Sequence, residues 1–380
     1  MKLFCFRGIK WGSFRGILNL IGGIWIVSAI LYAILHFISG NIQSLNNSTR
    51  NSSGSNQILR NIVGASFSPD NSKLVFGYCE GNEANNLTCE LATYEIASNV
   101  FHSFNPLGKD FSIIAPSYSH DGKQITFAAI KRGKSGNIRD KYSNIYVINT
   151  DGSGLLQLTR NYSTALNQPG TDMVMQWNAV PSFSPDDKRV IFRRAGVLRQ
   201  RSMGGEMLSH WDAYEVEIET GQERRLTSYA LYEMSRPYYL ADGKRFIFSC
   251  IHRGQKNANE AIYIMDEKYN TLTPAFMHGW YSTDPSVSKE GAILFLSETS
   301  KMEGIAGPYN YDLFIKTGES VKRLTKRRFT DIAQPTLSYD GTRIAFLASE
   351  TKDEGPRMWV MNSDGSGLVK LIPDLAQLKK

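Results

Sequence analysis

The chain has 380 residues, 42% of them hydrophobic and 11% aromatic, which excludes wholesale disorder. A charged share of 21% together with 32 glycines suits a turn-rich β protein. Four bases of the net +7 (Lys2, Arg7, Lys10, Arg15) sit in an acid-free first stretch, and the surplus left over is too small for a general nucleic-acid binder.

Residues 1–15 read as a basic cytoplasmic tail. Gly16–Ser39 contains no Asp, Glu, Lys or Arg. As a helix it would run roughly 36 Å, against a hydrocarbon core of about 30 Å. A helix bonds its own backbone groups, so one such stretch can span alone. The bases before it, with only Arg50 soon after it, predict that the segment beyond Gly40 is periplasmic or extracellular. A cleaved signal peptide is the competing reading. The long apolar run and the poor cleavage site at His36–Asn41 favour an uncleaved transmembrane helix over 16–39. Residues 40–56, rich in Asn and Ser, predict a linker that builds no core.

From Ala65 the chain repeats itself. The copies open at Ala65 (ASFSPDNSKLVF), Pro116 (PSYSHDGKQITF), Pro181 (PSFSPDDKRVIF), Pro237 (PYYLADGKRFIF), Pro285 (PSVSKEGAILF) and Pro335 (PTLSYDGTRIAF). Each predicts a short strand, a tight Asp-Gly-like turn and a second strand ending in Phe (Phe76, Phe127, Phe192, Phe248, Phe295, Phe346). A third strand follows, aromatic and β-branched, such as Ile145–Val147 or Met358–Val360. A fourth often reads x-Leu-Thr, as at Leu158-Thr159, Leu226-Thr227, Leu272-Thr273 and Leu324-Thr325. One such sheet cannot bury both its faces, whereas a ring of them can. The expected fold is all-β: a six-bladed β-propeller over 57–374, preceded by one N-terminal transmembrane helix and followed by a tail at 375–380.

The pattern P-S-x-S-x-D-G-K-x-I-x-F, then I-Y-V-x-N-x-D-G-S-G-x-x-x-L-T, is met almost in full by Pro116–Thr159. It resembles the TolB-type, WD-like propeller repeat. The resemblance implies the fold and says little of function. The α/β domain that precedes the TolB propeller has no counterpart here, so the partner of TolB is not carried over. For ring closure, Leu368–Ile372 can serve as the last outer strand, or Gln57–Ile62 can join the last blade as a clasp. The clasp is the preferred expectation.

The strand 1–2 and 3–4 connections are short, while the strand 2–3 and blade-to-blade connections are long. Antiparallel alternation puts all the long ones on one face, where binding residues usually sit. Aromatics and bases cluster there, and the candidate partner-binding residues are Trp177, Trp211, Trp280, Tyr281, Lys131, Arg132, Arg199, Arg201, Lys326, Arg327 and Arg328. Aromatics beside Arg are the usual composition of interface hot spots. Solvated loop charge explains the basic clusters equally well; binding is preferred for the Trp-bearing loops. The expected partner is an envelope protein or complex, or an anionic ligand, and no nucleic acid.

Cys79 and Cys89 lie at the facing ends of two neighbouring strands and are expected to pair in an oxidising compartment. Cys250 reads as a buried small hydrophobe. The six His are scattered, without metal-ligand spacing, and no cofactor is expected. No Gly-x-Ser-x-Gly elbow exists. Recognition or scaffolding in an envelope assembly is therefore the leading expectation. A carbohydrate-active or small-ligand-binding propeller, with its site at the channel mouth, is the alternative.

Overall fold

The computed structural model describes residues 58–82, 87–131, 142–160, 171–200, 206–208, 210–229, 231–252, 260–266, 268, 271–276, 278–279, 281–299, 310–351 and 355–372. The expected tail, transmembrane helix and linker at 1–56, and the tail at 375–380, lie outside the described residues. Among the described residues no helix is long and apolar enough to cross a membrane.

The fold is all-β and propeller-like. The first sheet is an antiparallel meander of β1 (Leu59–Phe67), β2 (Lys73–Gly81), β3 (Thr88–Glu95) and β4 (Val100–Phe104). A nine-stranded sheet follows. It holds β5 (Phe111–Tyr118), β6 (Gln124–Lys131), β7 (Ser143–Asn149) and β8 (Leu156–Gln157). It continues with β9 (Thr171–Phe183), β10 (Arg189–Gln200), β11 (Glu206–Leu208), β12 (Asp212–Glu217) and β13 (Glu223–Arg225). Its two halves meet through one parallel pair, Ser143 with Trp177. The next sheet takes β14 (Leu231–Met234), β15 (Tyr238–Tyr239), β16 (Arg245–His252), β17 (Ala261–Asp266) and β18 (Thr271–Pro274). Two four-stranded meanders complete the chain: β19 (Ser282–Val287), β20 (Ile293–Glu298), β21 (Tyr311–Thr317) and β22 (Ser320–Arg323), then β23 (Asp331–Leu337), β24 (Arg343–Ser349), β25 (Arg357–Asn362) and β26 (Val369–Ile372).

Apolar side chains alternate to both faces of these sheets, so each sheet must be covered on both sides. Val75, Leu91 and Ile113 pack on Phe127 and Tyr146. Ala128 and Val147 meet Val190 and Phe192. Ile191 and Ala213 meet Phe246 and Phe248. Ile247 and Ile262 meet Phe295 and Phe314, and Leu294 and Leu313 meet Phe346 and Trp359. The sequence of seams closes where Phe76, Tyr78 and Phe101 of the first sheet pack on Leu347, Met358 and Val360 of the last. All six strand-ending Phe residues are buried in these seams.

Closure differs from the expected clasp. β26 pairs with β25, and β1 is the innermost strand of the first sheet, paired with β2 from Leu59↔Gly81 to Phe67↔Leu74. The reason is burial: Ile62, Val63, Ala65 and Phe67 are all buried, and they feed two different seams, as an outer clasp strand could not. Among the described residues no strand is shared between the ends of the ring. Asn71 instead reaches from the first sheet to Asp340 (2.7 Å) and Thr342 (3.2 Å) of the last.

The Ser-x-Asp-Gly turn has a mechanism. Ser119 Oγ donates to Asp121 (2.8 Å) and accepts from the Gln124 amide (2.9 Å), while Asp121 accepts from the Lys123 amide (2.9 Å). Ser68, Ser184 and Ser338 repeat this arrangement with Asp70, Asp186 and Asp340. The residue after the Asp is left-handed (φ 73° at Gly122, 59° at Asn71, 56° at Asp187), which Gly, Asn and Asp tolerate. The x-Leu-Thr motif is likewise a latch in two of the later copies. The buried hydroxyls of Thr227 and Thr325 accept from the amides of Ala213 and Leu313 (both 2.9 Å) and donate to Asp212 (3.0 Å) and Asp312 (2.7 Å).

Cys79 and Cys89 face each other across β2 and β3 and are joined by a disulfide; Cys250 is a buried free thiol. Replacing both paired cysteines with Ser should cost about 2–3 kcal/mol, since the bridge closes a short loop; urea unfolding under oxidising conditions measures it. A second substitution tests the inner strands. Gly64 has φ +65°, and a Cβ there would stand 2.8 Å from the Ala115 Cα. Gly64→Val should therefore lower stability by about 2–4 kcal/mol, read as an earlier urea midpoint.

Candidate functional site: the channel neck

Every copy carries a break in its innermost strand at the same place, just before the repeat's opening residue. Pairing skips at Gly64 in β1, Ala115-Pro116 in β5, Val180-Pro181 in β9, Asp284-Pro285 in β19 and Gln334-Pro335 in β23. In the β14–β15 sheet the break is Ser235-Arg236-Pro237. In five copies the break falls at a proline, which has no N–H for the ladder; in the first it falls at Gly64. Gly64, Ala115, Val180, Asp284 and Gln334 adopt φ between 49° and 65°. These residues, with Arg236, come together around a cavity of about 90 Å³ on the channel axis.

The neck is charged on one side. Arg193 of β10 adds its guanidinium to the lining beside Arg236, Asp284 and Gln334. It donates to the Met234 carbonyl and lies 4.4 Å from the Trp211 ring centroid. Its charge acts on Glu233, Asp284 and Glu260. Arg236 makes only long contacts, to the Pro116 carbonyl and the Tyr238 hydroxyl (both 3.5 Å). Gln334 accepts from the Gly64 amide of the adjoining first copy. Burial raises Asp284 above the ordinary carboxylate range, partly offset by Arg193 and Arg236, and raises Glu233, partly offset by Arg193. Glu260 accepts from Ser249 (2.6 Å) and Thr283 (2.7 Å), yet burial and the nearby Asp284 push it up to about 7.

A second small cavity lies at the turn-bearing end. His120 and Tyr339, from the second and last copies, bring their rings within 4.3 Å, beside this cavity of about 70 Å³. His120 Nδ1 and its amide both meet Asp187 Oδ1 at 2.8 Å, and the Asp121 amide donates to Asp187 Oδ2 (2.9 Å). The charged neck therefore lies toward the loop-bearing mouth.

The loop-face residues expected from sequence fare unequally. Arg132, Arg201 and Trp280 lie outside the described residues, as does the side chain of Arg199, whose backbone pairs β10 with β9 and β11. The segments around Trp177 and Trp211 are less irregular than expected, because β9 and β10 extend as a long hairpin. Trp211 is buried at 7% exposure in the seam with Phe246 and Phe248, so its ring is core rather than a loop-face aromatic. Trp177 is half-buried against two seams. Lys131 ends β6 with its ammonium 5.5 Å from the Tyr142 ring. Tyr281 is half-buried, and its carbonyl accepts from the Glu298 amide (3.1 Å). Lys326, Arg327 and Arg328 are exposed in the β22–β23 connection. Arg328 reaches Glu350 (3.3 Å) and lies over Trp359, and the Arg327 amide donates to Asp312 (3.0 Å). Sequence reading missed Glu233, Arg236, Glu260 and Asp284. The signal was available: the residue before each repeat's first position is charged or amide-bearing in three copies and apolar or Gly in the other three.

No protein-family model matches the chain, and no curated protein matches it. Solved structures similar to it are propellers. An oligogalacturonate lyase in complex with manganese aligns at TM-score 0.50 and 13% identity, covering 82% of this chain and 77% of that one. TolB from Acinetobacter baumannii aligns at TM-score 0.48 and 18% identity, covering 84% of this chain and 65% of that chain. The β-propeller domain of the trilobed protease from Pyrococcus furiosus aligns at 0.48 and 12%, covering 82% and 97%. Such identities speak for the fold alone. This chain spans 65% of the length of the TolB chain. Among the described residues no three His, Cys, Asp or Glu stand close enough to hold a metal ion.

The channel carboxylates predict a pH dependence. Glu260 is raised above its unfolded value, so the folded state keeps its proton longer, and stability falls as pH rises from about 4.5 through about 7. Glu260→Gln keeps an acceptor for Ser249 and Thr283 and removes that charge beside Asp284, Glu233, Arg193 and Cys250. The melting temperature of the variant should exceed the parent's at pH 8 and match it at pH 4.5. An equal difference at both pH values would mean that Glu260 stays ionised.

Proposed function

We propose that this chain is a six-bladed propeller held at a membrane by residues 16–39, with its blades on the periplasmic or extracellular side, acting as a recognition module for a protein component of the cell envelope. Six seams and six bulge positions support the blade number, with the nine-stranded sheet counted as two blades because a single parallel pair joins its halves. The observation that carries the recognition reading is the asymmetry of the two faces. On one face the turns are short and bonded to one another through Asn71, Asp187 and the Lys289 amide on the Tyr339 carbonyl (2.8 Å). On the other lie the long connections, the exposed Lys326–Arg328 and the charged side of the neck. A rigid scaffold with all its variation on one side is the usual form of a binding module.

The ionised neck also favours a second reading, a propeller that takes a small ligand at the channel mouth. One structural neighbour is an oligogalacturonate lyase described in complex with manganese.

Full-length protein in detergent tests the first reading. It should resist carbonate extraction from membranes, keep its own amino terminus, and co-purify with a cross-linkable envelope protein. Charge reversal at Lys326, Arg327 and Arg328 should lower that capture at least tenfold without changing the melting temperature. Release from the membrane by carbonate would end the anchor reading, and undiminished capture would end the basic-face reading.

A further inference from the structure

The neck residues occupy one backbone position, so the fold places the same demand on each: a left-handed or bulged conformation ahead of the repeat's opening residue. Gly, Ala and Val meet that demand in the first three copies. Nothing in the bulge calls for Arg236, Asp284 and Gln334 in the last three, or for the Arg193 guanidinium brought in beside them from β10. The ring is therefore divided, with Gly64, Ala115 and Val180 on one arc and the ionised groups on the other.

Ionised groups in such a place cost folding free energy unless they are bonded. No hydrogen bond to the carboxylate of Asp284 or Glu233 is seen among the described residues; Asp284 feels the charges of Arg193 and Arg236, Glu233 that of Arg193, and both act on Glu260. The contacts of Arg236 are long, at 3.5 Å. Well-packed apolar side chains would stabilise the ring better, as they do on the opposite arc. The cavity lining carries both signs, Arg193 and Arg236 with Asp284, and the charge of Arg193 also acts on Glu233 and Glu260. A simple anion or cation entering the cavity would leave one charge uncompensated. A molecule carrying both signs would not.

We propose that the neck binds a small zwitterion of the α-amino-acid class. Asp284 takes the ammonium group, Arg236 with Arg193 takes the carboxylate, and the aliphatic arc of Ala115 and Val180 receives a short apolar side chain. The cavity of about 90 Å³ limits the ligand to a few heavy atoms. The site opens toward the same face as the long connections; it deepens the small-ligand reading and does not rest on the protein-recognition one.

Isothermal titration of the full-length protein in detergent at pH 7 tests it, with glycine, L-alanine, L-serine and L-valine as probes, and propionate and ethylamine as single-charge controls. At least one amino acid should bind saturably at one site per chain and raise the melting temperature. Propionate and ethylamine should bind at least tenfold more weakly. Asp284→Asn and Arg236→Gln should each weaken amino-acid binding at least tenfold, and Lys322→Ala, on the outer strand β22, should leave it unchanged. No heat with any amino acid overturns the proposal. So does equal binding of propionate or of ethylamine, which would make the neck a plain ion site. Binding untouched by both neck substitutions in folded protein would overturn its placement there. If either variant fails to melt cooperatively, the comparison of amino acids with the two controls on the parent protein decides alone.

Discussion

Everything in this molecule follows from a sheet that is apolar on both faces. Such a sheet cannot end against water, so each needs a neighbour on either side, and the series is satisfied only when the last meets the first. The last seam is therefore the one on which closure depends. It is made by Phe76, Tyr78 and Phe101 against Leu347, Met358 and Val360, with no ladder bond across it. The polar ties there are few: Asn71 to Asp340 and Thr342, the Gly64 amide to Gln334, and the Tyr94 hydroxyl to the Leu371 carbonyl (3.4 Å). Burial of apolar surface, at about 25 cal/mol per Å², is the main force holding the ends together.

Substitutions within the repeat are where the copies acquire individual roles. The left-handed turn position is Gly in several copies, where it does nothing but turn. Where it is Asn71 or Asp187, a side chain becomes available, and it ties the turn to its neighbour around the ring. The neck position behaves in the same way, neutral in three copies and ionised or amide-bearing in the others. A repeat fold fixes the backbone once and leaves equivalent positions free to diverge, so function is carried by departures from the consensus.

This explains which features the sequence made legible. The strand-ending Phe residues, the Ser-x-Asp-Gly turns and the facing Cys79 and Cys89 are local patterns with local causes, and they could be read directly. The clasp was misjudged because a short alternating strand looks alike at an edge and at the axis; only the burial of Ile62 and Val63 into different seams separates the two. Trp211 reads as a loop-face aromatic because an aromatic beside a basic stretch has the composition of a hot spot, whereas its ring packs in the seam with Ile191, Ala195 and Phe248. The neck was overlooked because its members lie 48 to 65 residues apart and show as a set only when the copies are aligned at the residue before each opening position.

One feature of the first strand has a bearing on access. β1 begins at Leu59 beside Gly81, the end of β2 from which the first long connection leaves. The chain thus arrives at the ring on the rim of the wide opening, next to the axis rather than at the outer wall. A propeller hung from a bilayer by that entry would hang with its opening toward the lipid. Solutes and partners would then have to approach sideways, through the gap between disc and membrane, and the length of residues 40–56 would set the height of that gap.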